Sequence, residues 1–210
     1  MPVASNREYR RIDCAQLETR AQEDGGMIVE GYATVFDQEY ELWRCPSFVL
    51  MEAIDPHAFD DADMSDTIMQ YDHEGRVFAR IRNKTLEIKP DDHGLHIRAD
   101  LSGTDIGRQL YQEIAGGYTD RMSFGFTVET EERTEEYNHD TGETIVHRRI
   151  TKVKKLYDVS AVSLPANDAT EISARNLGEG YINQITEEVR ARQERQREIE
   201  IANALLQIGG

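Results

Sequence analysis

A histidine and a serine stand in settings that suit catalysis in this sequence. His73 lies where a short apolar run ends and a turn begins, so its side chain can project into a cleft. Ser123 lies inside a second apolar run, and Gly125 lets another backbone or a ligand approach closely. A hydroxyl beside a histidine that is oriented by an acid is the arrangement that nucleophilic acyl transfer requires. The pair therefore indicates a serine hydrolase if the fold brings the two side chains together.

Metal and cofactor chemistry are not predicted. No set of histidines has the short helical or hairpin spacing that is typical of a metal site. His93, His96 and His139 are best interpreted as ordinary core or surface residues. The sequence also has no glycine-rich loop of the kind that holds phosphate groups. We therefore expect no metal ion and no organic cofactor.

Charge and hydropathy narrow the range of partners. The chain has 40 acidic residues against 24 basic ones, and its net charge of −16 repels a phosphate backbone. Nucleic acid is therefore not a predicted partner, and the basic segment at residues 147–155 is interpreted as a solvated face or a docking patch. No apolar stretch approaches the roughly 20 residues that cross a bilayer, so no membrane contact is predicted.

The body of the chain is predicted to consist mostly of strands. Residues 27–36 are rich in β-branched and aromatic side chains, which predicts a buried strand. Residues 121–133 and 144–155 predict a hairpin whose strands are joined by an acidic loop. Apolar side chains four residues apart predict a helix over residues 104–115. Short strands between turn signals are predicted at residues 67–71, 78–81, 85–88 and 95–101.

Composition divides the chain into three parts. Residues 1–26 are polar and predict a flexible N-terminal arm, whereas residues 27–177 form the predicted folded domain. Inside this domain, residues 37–66 are irregular and acidic, which predicts a long loop with a short helix near Phe59. Residues 178–210 are rich in Glu, Arg and Gln with a weak apolar stripe, so they predict a charged helical tail.

Five short segments form an ordered set along the chain. They are residues 30–36 (EGYATVF), 52–59 (EAIDPHAF), 71–73 (YDH), 122–126 (MSFGF) and 158–167 (DVSAVSLPAN). No single segment is specific, but the five in this order are hard to obtain by chance. Together they resemble the prohead maturation protease family of tailed bacteriophages.

The resemblance implies a fold and a set of catalytic residues. The implied fold is α+β and mostly β, with a herpesvirus-protease-like β-barrel, surrounding helices and the charged C-terminal helical tail; residues 27–177 would be the protease domain. The matching positions imply His73 as the general base and Ser123 as the nucleophile. Asp158 matches a glutamate of the family and is implied as the third member, which orients the histidine. Related viral enzymes use a second histidine there, for which His147 is the nearest candidate.

The function implied by the resemblance is that of a Ser-His-Asp endopeptidase of capsid maturation. It would cut scaffold-like segments from the major capsid protein, and also itself, inside the procapsid that assembles in the host cytoplasm. The implied partners are the major capsid protein and its scaffold-like segment. Self-association is left open. The alternative is a catalytically silent capsid-assembly or scaffolding protein, which needs docking surfaces but no cleft shared by His73 and Ser123.

Overall fold

The structure is a computed structural model that describes residues 7–21, 25–45, 48–162 and 179–208. The strands in these ranges are β1 (Glu8–Ala21), β2 (Met27–Val35), β3 (Tyr40–Cys45), β4 (Phe48–Ile54), β5 (Ile68–Tyr71), β6 (Glu74–Arg80), β7 (Leu86–Pro90), β8 (Gly94–Asp100), β9 (Arg121–Asn138) and β10 (Glu143–Val162). The helices are α1 (Asp105–Ala115), α2 (Glu179–Ile208) and a 3₁₀ turn at Ile81–Asn83. The predicted α+β, mostly β class is confirmed.

One branched sheet contains all the described strands. Its main path runs β3-β4-β10-β9-β1-β2-β8-β7, while β5 and β6 branch from it. β10 is the branch point, because one of its edges pairs in parallel first with β4 along residues 144–150 and then with β5 along residues 158–161. Its other edge pairs with β9. The path starts at β3 and ends at β7, so the described strands form an open sheet and not the closed β-barrel that the resemblance implied.

The first strand corrects the predicted N-terminal arm. Residues 8–21, which the composition assigned to a flexible arm, form β1 between β9 and β2. Residues 8–12 and Gln16 pair with β9, with a shift in register between Ile12 and Gln16, and residues 17–21 pair with β2. The polar composition was misleading because a strand inside a sheet can carry charged side chains when they are paired, as Arg10 is. The remainder of the arm before residue 7, and residues 22–24, lie outside the described residues.

The segment at residues 37–66 contains two strands where the sequence predicted a loop. β3 and β4 pair antiparallel, and β4 also pairs with β10. Every residue of β4 except Met51 is buried, so this strand is part of the core. Phe59 is buried in a stretch of turns and not in a helix. The acidic residues and prolines of this segment predicted a loop. Strand formation, however, depends on pairing partners that are distant in the sequence.

The other predicted elements are confirmed. The buried strand is β2, the short strands are β5 to β8, and the predicted hairpin is β9 with β10. The predicted helix is α1, and the Oγ of Thr104 caps it by accepting a hydrogen bond from the backbone N–H of Gly107. Leu110 and Ile114 on its predicted apolar face are buried in the core.

The main core lies against the strands that carry the candidate catalytic residues. The Phe124 and Phe126 rings stack with their centroids 4.8 Å apart, and Phe59 meets Phe124 edge-on at 6.4 Å. Met69 of β5 and Val159 of β10 are fully buried in the same cluster. Burial of each large apolar side chain contributes about 2 kcal/mol. This packing holds β5, β9 and β10 in fixed relative positions.

A buried ionic cluster joins four strands. Its members are Glu8 and Arg10 on β1, Glu52 on β4, Glu131 on β9 and Arg148 on β10. Arg10 and Arg148 are buried and both donate hydrogen bonds to Glu52. Glu8 and Glu131 accept further hydrogen bonds from Arg148. Burial alone would raise the pKa of Glu52, but the two guanidinium groups lower it to about 2.

The basic segment at residues 147–155 is only partly the solvated face that the sequence predicted. Arg148 is buried in the ionic cluster. The Nε of Arg149 donates to Asp55 at 2.9 Å, and the Nζ of Lys155 donates to Asp63 at 2.6 Å. These cations are therefore balanced by carboxylates of the same chain.

The predicted helical tail is confirmed as α2 over its described residues. Val189 is 4% exposed and anchors the helix on the sheet, where it packs against Leu42, Phe48, Leu50 and Val146. The Nε2 of Gln193 donates to the Oγ1 of Thr144 at 3.0 Å, which adds a polar contact beside the apolar one. Among the described residues, no helix has both the length and the apolar character needed to cross a membrane.

The ionic cluster makes the stability of the fold sensitive to acid. The folded pKa of Glu52 is about 2, below its ordinary value of 4.5, so its contribution is present above pH 4.5 and is lost as the pH falls toward 2. The shift corresponds to about 3 kcal/mol. We expect the free energy of unfolding, measured by urea titration, to fall by that order between pH 5 and pH 2 because of this one group.

Glu52→Gln tests this prediction. At pH 7 the variant should be less stable by about 3 to 5 kcal/mol, because two buried guanidinium groups lose their shared carboxylate. It should also lose less stability than the parent on acidification. Glu129→Gln, at an exposed position on β9, is the matched control and should unfold like the parent. An acid dependence that is the same in parent and Glu52→Gln would contradict the assignment.

Candidate active site

Ser123 lies near the start of β9, where this strand is covered by partners on both edges. Its cross-strand neighbour on β10 is Ser160. Directly paired residues of adjacent strands project to the same face, and so do residues two apart on one strand. Ser123 therefore shares a face with Ser160 and with Asp158. The side chain of Ser123 is completely buried, at 0% exposure.

His73 is placed by the two-residue turn between β5 and β6. Tyr71 and Glu74 pair across this turn. Its two central residues have positive φ angles, 47° for Asp72 and 60° for His73, which is the pattern of a type I′ turn. The backbone N–H of Asp72 donates to the carbonyl oxygen of Ala161 at 3.0 Å. The turn is thereby attached to the end of β10.

The structure brings His73, Ser123 and Asp158 into one hydrogen-bonded row. The Nε2 of His73 is 2.6 Å from the Oγ of Ser123, and its Nδ1 is 2.5 Å from the Oδ1 of Asp158. The carboxylate is fully buried, and the histidine side chain is 13% exposed. A carboxylate accepts the Nδ1 proton, which leaves Nε2 free to accept the proton of the hydroxyl. This geometry can activate a serine for attack on a carbonyl carbon.

Two further residues shape the surroundings of Asp158. The Oγ of Ser160 is buried and donates to the Oδ1 of Asp158 at 2.9 Å. Gly125 pairs directly with Asp158, and a Cβ at this position would lie 2.6 Å from the Oδ2. The glycine therefore permits the close approach that the sequence predicted there. The sequence analysis assigned no role to Ser160, because a hydroxyl two residues from an acid is too common to be a signal.

Arg7, which immediately precedes β1, and Tyr9 on β1 contact two members of the row. The guanidinium of Arg7 donates a hydrogen bond to the Oδ2 of Asp158 and lies over the Tyr157 ring, 4.5 Å from its centroid. The ring of Tyr9 meets the imidazole of His73 edge-on, with 4.4 Å between the centroids. Sequence analysis missed both residues because they precede the matched segments and lie in the polar part of the chain.

His147, the alternative third member, is placed elsewhere. It pairs with Met51 on β4 and with Thr134 on β9, in the first half of β10. Its Nδ1 is 2.6 Å from the Oε1 of Glu39, and its Nε2 is 3.7 Å from Glu136. The structure therefore brings Asp158, and not His147, to the imidazole of His73.

A cleft of about 600 Å³ adjoins the turn that carries His73. It lies between this turn and α1, and residues on both sides of His73 line it. Its apolar side chains include Phe78, Ile106 and Leu110, and its charged ones include Glu74 and Arg76. Within the described ranges, no group of three or more His, Cys, Asp or Glu residues is arranged to hold a metal ion.

Comparison with known proteins identifies the family. A model of the caudovirus prohead serine protease family matches residues 15–182, which is most of the chain. The chain therefore belongs to this family of serine peptidases. Among solved structures it is similar to the bacteriophage T4 capsid assembly protease, gp21, with 13% identity and a TM-score of 0.42, covering 75% of this chain and 99% of that one. The comparison with curated proteins gives no match.

The turn that carries His73 generates a stability prediction. A β-branched residue in the left-handed region is strained, so Asp72→Val should destabilise the protein by about 1 to 2 kcal/mol. Asp72→Asn should remain within about 0.5 kcal/mol of the parent, because asparagine suits type I′ turns. Chemical unfolding at neutral pH would measure both changes.

Glu74→Val is the matched control for this prediction. Glu74 is exposed at the start of β6 and its φ angle is not positive, so valine fits its backbone without strain. If Asp72→Val were no more destabilising than Glu74→Val, the left-handed conformation of the turn would not be what places His73.

Proposed function

We propose that this protein is a serine endopeptidase that matures a phage capsid. It cuts scaffold-like segments from the major capsid protein, and it cuts itself, inside the procapsid that assembles in the host cytoplasm. The observation that carries this proposal is the row in which His73 Nε2 lies 2.6 Å from Ser123 Oγ and Nδ1 lies 2.5 Å from Asp158 Oδ1. Membership of the prohead serine protease family supports the reaction class and its setting.

The mechanism follows from the order of the hydrogen bonds. The Oγ of Ser123 attacks the scissile carbonyl carbon while Nε2 of His73 takes the hydroxyl proton. Asp158 keeps the Nδ1 proton in place and stabilises the imidazolium that forms. His73 then gives its proton to the leaving amine, and an acyl-enzyme remains on Ser123. Water, activated by the same imidazole, hydrolyses the ester and restores the hydroxyl.

The alternative of a silent assembly protein is less well supported. Such a protein would need the exposed faces of the sheet and the tail, but it would have no use for an aligned serine, histidine and aspartate. Here the three groups meet although they are 50 and 85 residues apart in the sequence. A packing requirement alone does not align a hydroxyl, an imidazole and a carboxylate in the order that general-base catalysis needs.

The division into domains is part of the same proposal. The protease domain at residues 27–177 gains β1, because this strand lies between β9 and β2 in the sheet. Within the charged tail proposed at residues 178–210, α2 packs on β3, β4 and β10 through Val189. The relationship to herpesvirus assembly proteases rests on the resemblance of the sequence segments and not on a closed barrel.

Ser123→Ala tests the function. The substitution deletes only the attacking oxygen and no other heavy atom, so the fold should persist while processing falls by a factor on the order of 10⁴ to 10⁶. Co-expression with the cognate major capsid protein, followed by mass measurement of both chains, would measure processing. Ser102→Ala, in the turn before α1, is the matched control and should process normally. Trimming by Ser123→Ala at the parental rate would reject the nucleophile.

A second pair of variants tests the third member of the row. Asp158→Asn keeps the shape of the carboxylate but favours the wrong tautomer of His73, so cleavage should fall by a factor on the order of 10⁴. His147→Gln should change cleavage little, because His147 contacts Glu39 instead. The same co-expression assay applies. The opposite ranking would transfer the role to His147, and two equal, mild losses would mean that His73 and Ser123 act as a dyad.

A further inference from the structure

Ser160 is a second buried serine beside the proposed nucleophile. Its side chain is 0% exposed, and it pairs directly with Ser123 across β9 and β10. A hydroxyl that is removed from water needs a hydrogen-bond partner, because burial of an unpaired hydroxyl costs about 1 to 3 kcal/mol. The partner of this hydroxyl is the carboxylate of Asp158. The mechanism described above gives Ser160 no part.

An irregularity in β10 explains why Asp158 and Ser160 both face the row. Leu156 and Asp158 pair with consecutive residues of β9, so Tyr157 is an extra residue of β10 at this point. In a regular strand, residues 156, 158 and 160 would project to one face and residue 159 to the other. Here Leu156 and Val159 both belong to the main core. The extra residue therefore turns Asp158 and Ser160 together to the opposite face.

Two hydrogen bonds meet at one oxygen of the Asp158 carboxylate. The Oδ1 accepts from the Oγ of Ser160 at 2.9 Å, and it lies 2.5 Å from the Nδ1 of His73. A carboxylate oxygen has two lone pairs, so these two donors occupy both of them. Since an ionised carboxylate can only accept, the hydroxyl proton of Ser160 points to Asp158.

The two neighbouring serines have different partners. The Oγ of Ser123 is 2.6 Å from the Nε2 of His73, whereas the Oγ of Ser160 contacts Asp158. No hydrogen bond joins the two hydroxyls, both of which belong to the described part of the chain. Only Ser123 contacts the nitrogen that acts as the general base. Ser160 is therefore not placed to act as a nucleophile or to compete for the imidazole.

The contact with Ser160 restricts the orientation of the carboxylate. The last torsion of an aspartate side chain has a broad minimum, so its carboxylate turns unless its partners hold it. The Oδ2 accepts from Arg7, which is a long side chain that is 19% exposed. Ser160 instead supplies a short, fully buried donor from the same strand. It thereby holds the Oδ1 at the position where this oxygen meets the Nδ1–H of His73.

The hydroxyl also favours the ionised form of the carboxylate, because a hydrogen bond donated to a charged group stabilises that charge. The chain contains a comparable pair. The Oγ of Ser65 donates to the Oδ1 of Asp63 at 2.7 Å, and hydrogen bonds from Lys155 and Ser65 lower the pKa of Asp63 to about 2. Asp63 and Ser65 are exposed to water. The corresponding bond at Asp158 is buried, where water does not weaken it.

We propose that Ser160 is a positioning residue that acts on His73 through Asp158. This proposal rests on the proposed protease function and deepens it by naming a fourth group in the hydrogen-bonded row. No bond to Ser160 is made or broken during the reaction. Its hydroxyl fixes the Oδ1 of Asp158, so the Nδ1 of His73 keeps its proton and the Nε2 stays free to take the proton of Ser123.

Ser160→Ala in the full chain tests the proposal, because it deletes only the hydroxyl oxygen. With the cognate major capsid protein as substrate and mass measurement over time, kcat should fall by about ten- to a hundredfold, since small displacements of catalytic groups have effects of this order. KM should change little, because a fully buried side chain does not touch the substrate. Ser160→Thr keeps the hydroxyl and suits a strand, so it should restore most of the rate.

Ser65→Ala is the matched control. It also removes a hydroxyl that donates to an aspartate two residues earlier, but at an exposed position in a turn. This variant should cleave the capsid protein like the parent.

The tautomer of His73 is a readout that a packing role would not move. Nitrogen NMR with isotope-labelled histidine should show the parent at neutral pH with a proton on Nδ1 and none on Nε2, and His73→Gln assigns the signals. In Ser160→Ala a fraction should shift to the form protonated at Nε2, whereas Ser160→Thr should resemble the parent. A parental tautomer in Ser160→Ala would overturn the proposal, because Ser160 would then only satisfy a buried oxygen. A shifted tautomer with the parental kcat would overturn it as well.

The two readouts distinguish this proposal from the function on which it rests. The tautomer is measured without substrate, so it decides whether Ser160 positions His73 even if the parent does not trim the capsid protein, an outcome that rejects the protease function. If the parent trims its capsid protein and Ser160→Ala matches it in kcat and in tautomer, the protease function stands and the role of Ser160 is rejected.

Discussion

Strand β10 is the constraint on which the rest of the structure depends. One edge of this 20-residue strand pairs with β4 and then with β5, and its other edge pairs with β9. Its first half places Arg148 in the ionic cluster, and its second half places Asp158 between the turn with His73 and the strand with Ser123. A shift of one residue in register would turn Asp158 to the other face and separate the three groups.

Two buried carboxylates differ in their surroundings: one belongs to the ionic cluster that stabilises the fold, and the other belongs to the candidate active site. Glu52 is surrounded by two guanidinium groups and the hydroxyl of Tyr40, so it is ionised and has a purely structural set of partners. Asp158 is equally buried, but it accepts a hydrogen bond from Ser160 and contacts the imidazole of His73. The other nitrogen of this imidazole contacts the hydroxyl of Ser123. The difference lies in these partners: an imidazole can take up and release a proton near neutral pH, whereas guanidinium groups and a tyrosine hydroxyl keep theirs.

β1 and Arg7, the residue before it, connect these two carboxylates because side chains alternate along an extended segment. Arg10 binds Glu52 on one face, while Arg7 binds Asp158 on the other. The same pairing that adds β1 to the sheet therefore brings a cation and an aromatic ring onto the candidate active site.

The sequence by itself determined the local elements and the identity of the candidate residues. Periodicity and turn residues predicted β2, α1 and the hairpin of β9 and β10, and the ordered segments singled out His73, Ser123 and Asp158. Only the tertiary structure decided that these three meet while His147 lies elsewhere, that β1 and β4 are strands, and that Arg7 reaches Asp158. The reason is physical: strand pairing and register join residues that are far apart in the chain, and no local pattern encodes which distant partner supplies the hydrogen bonds and charges.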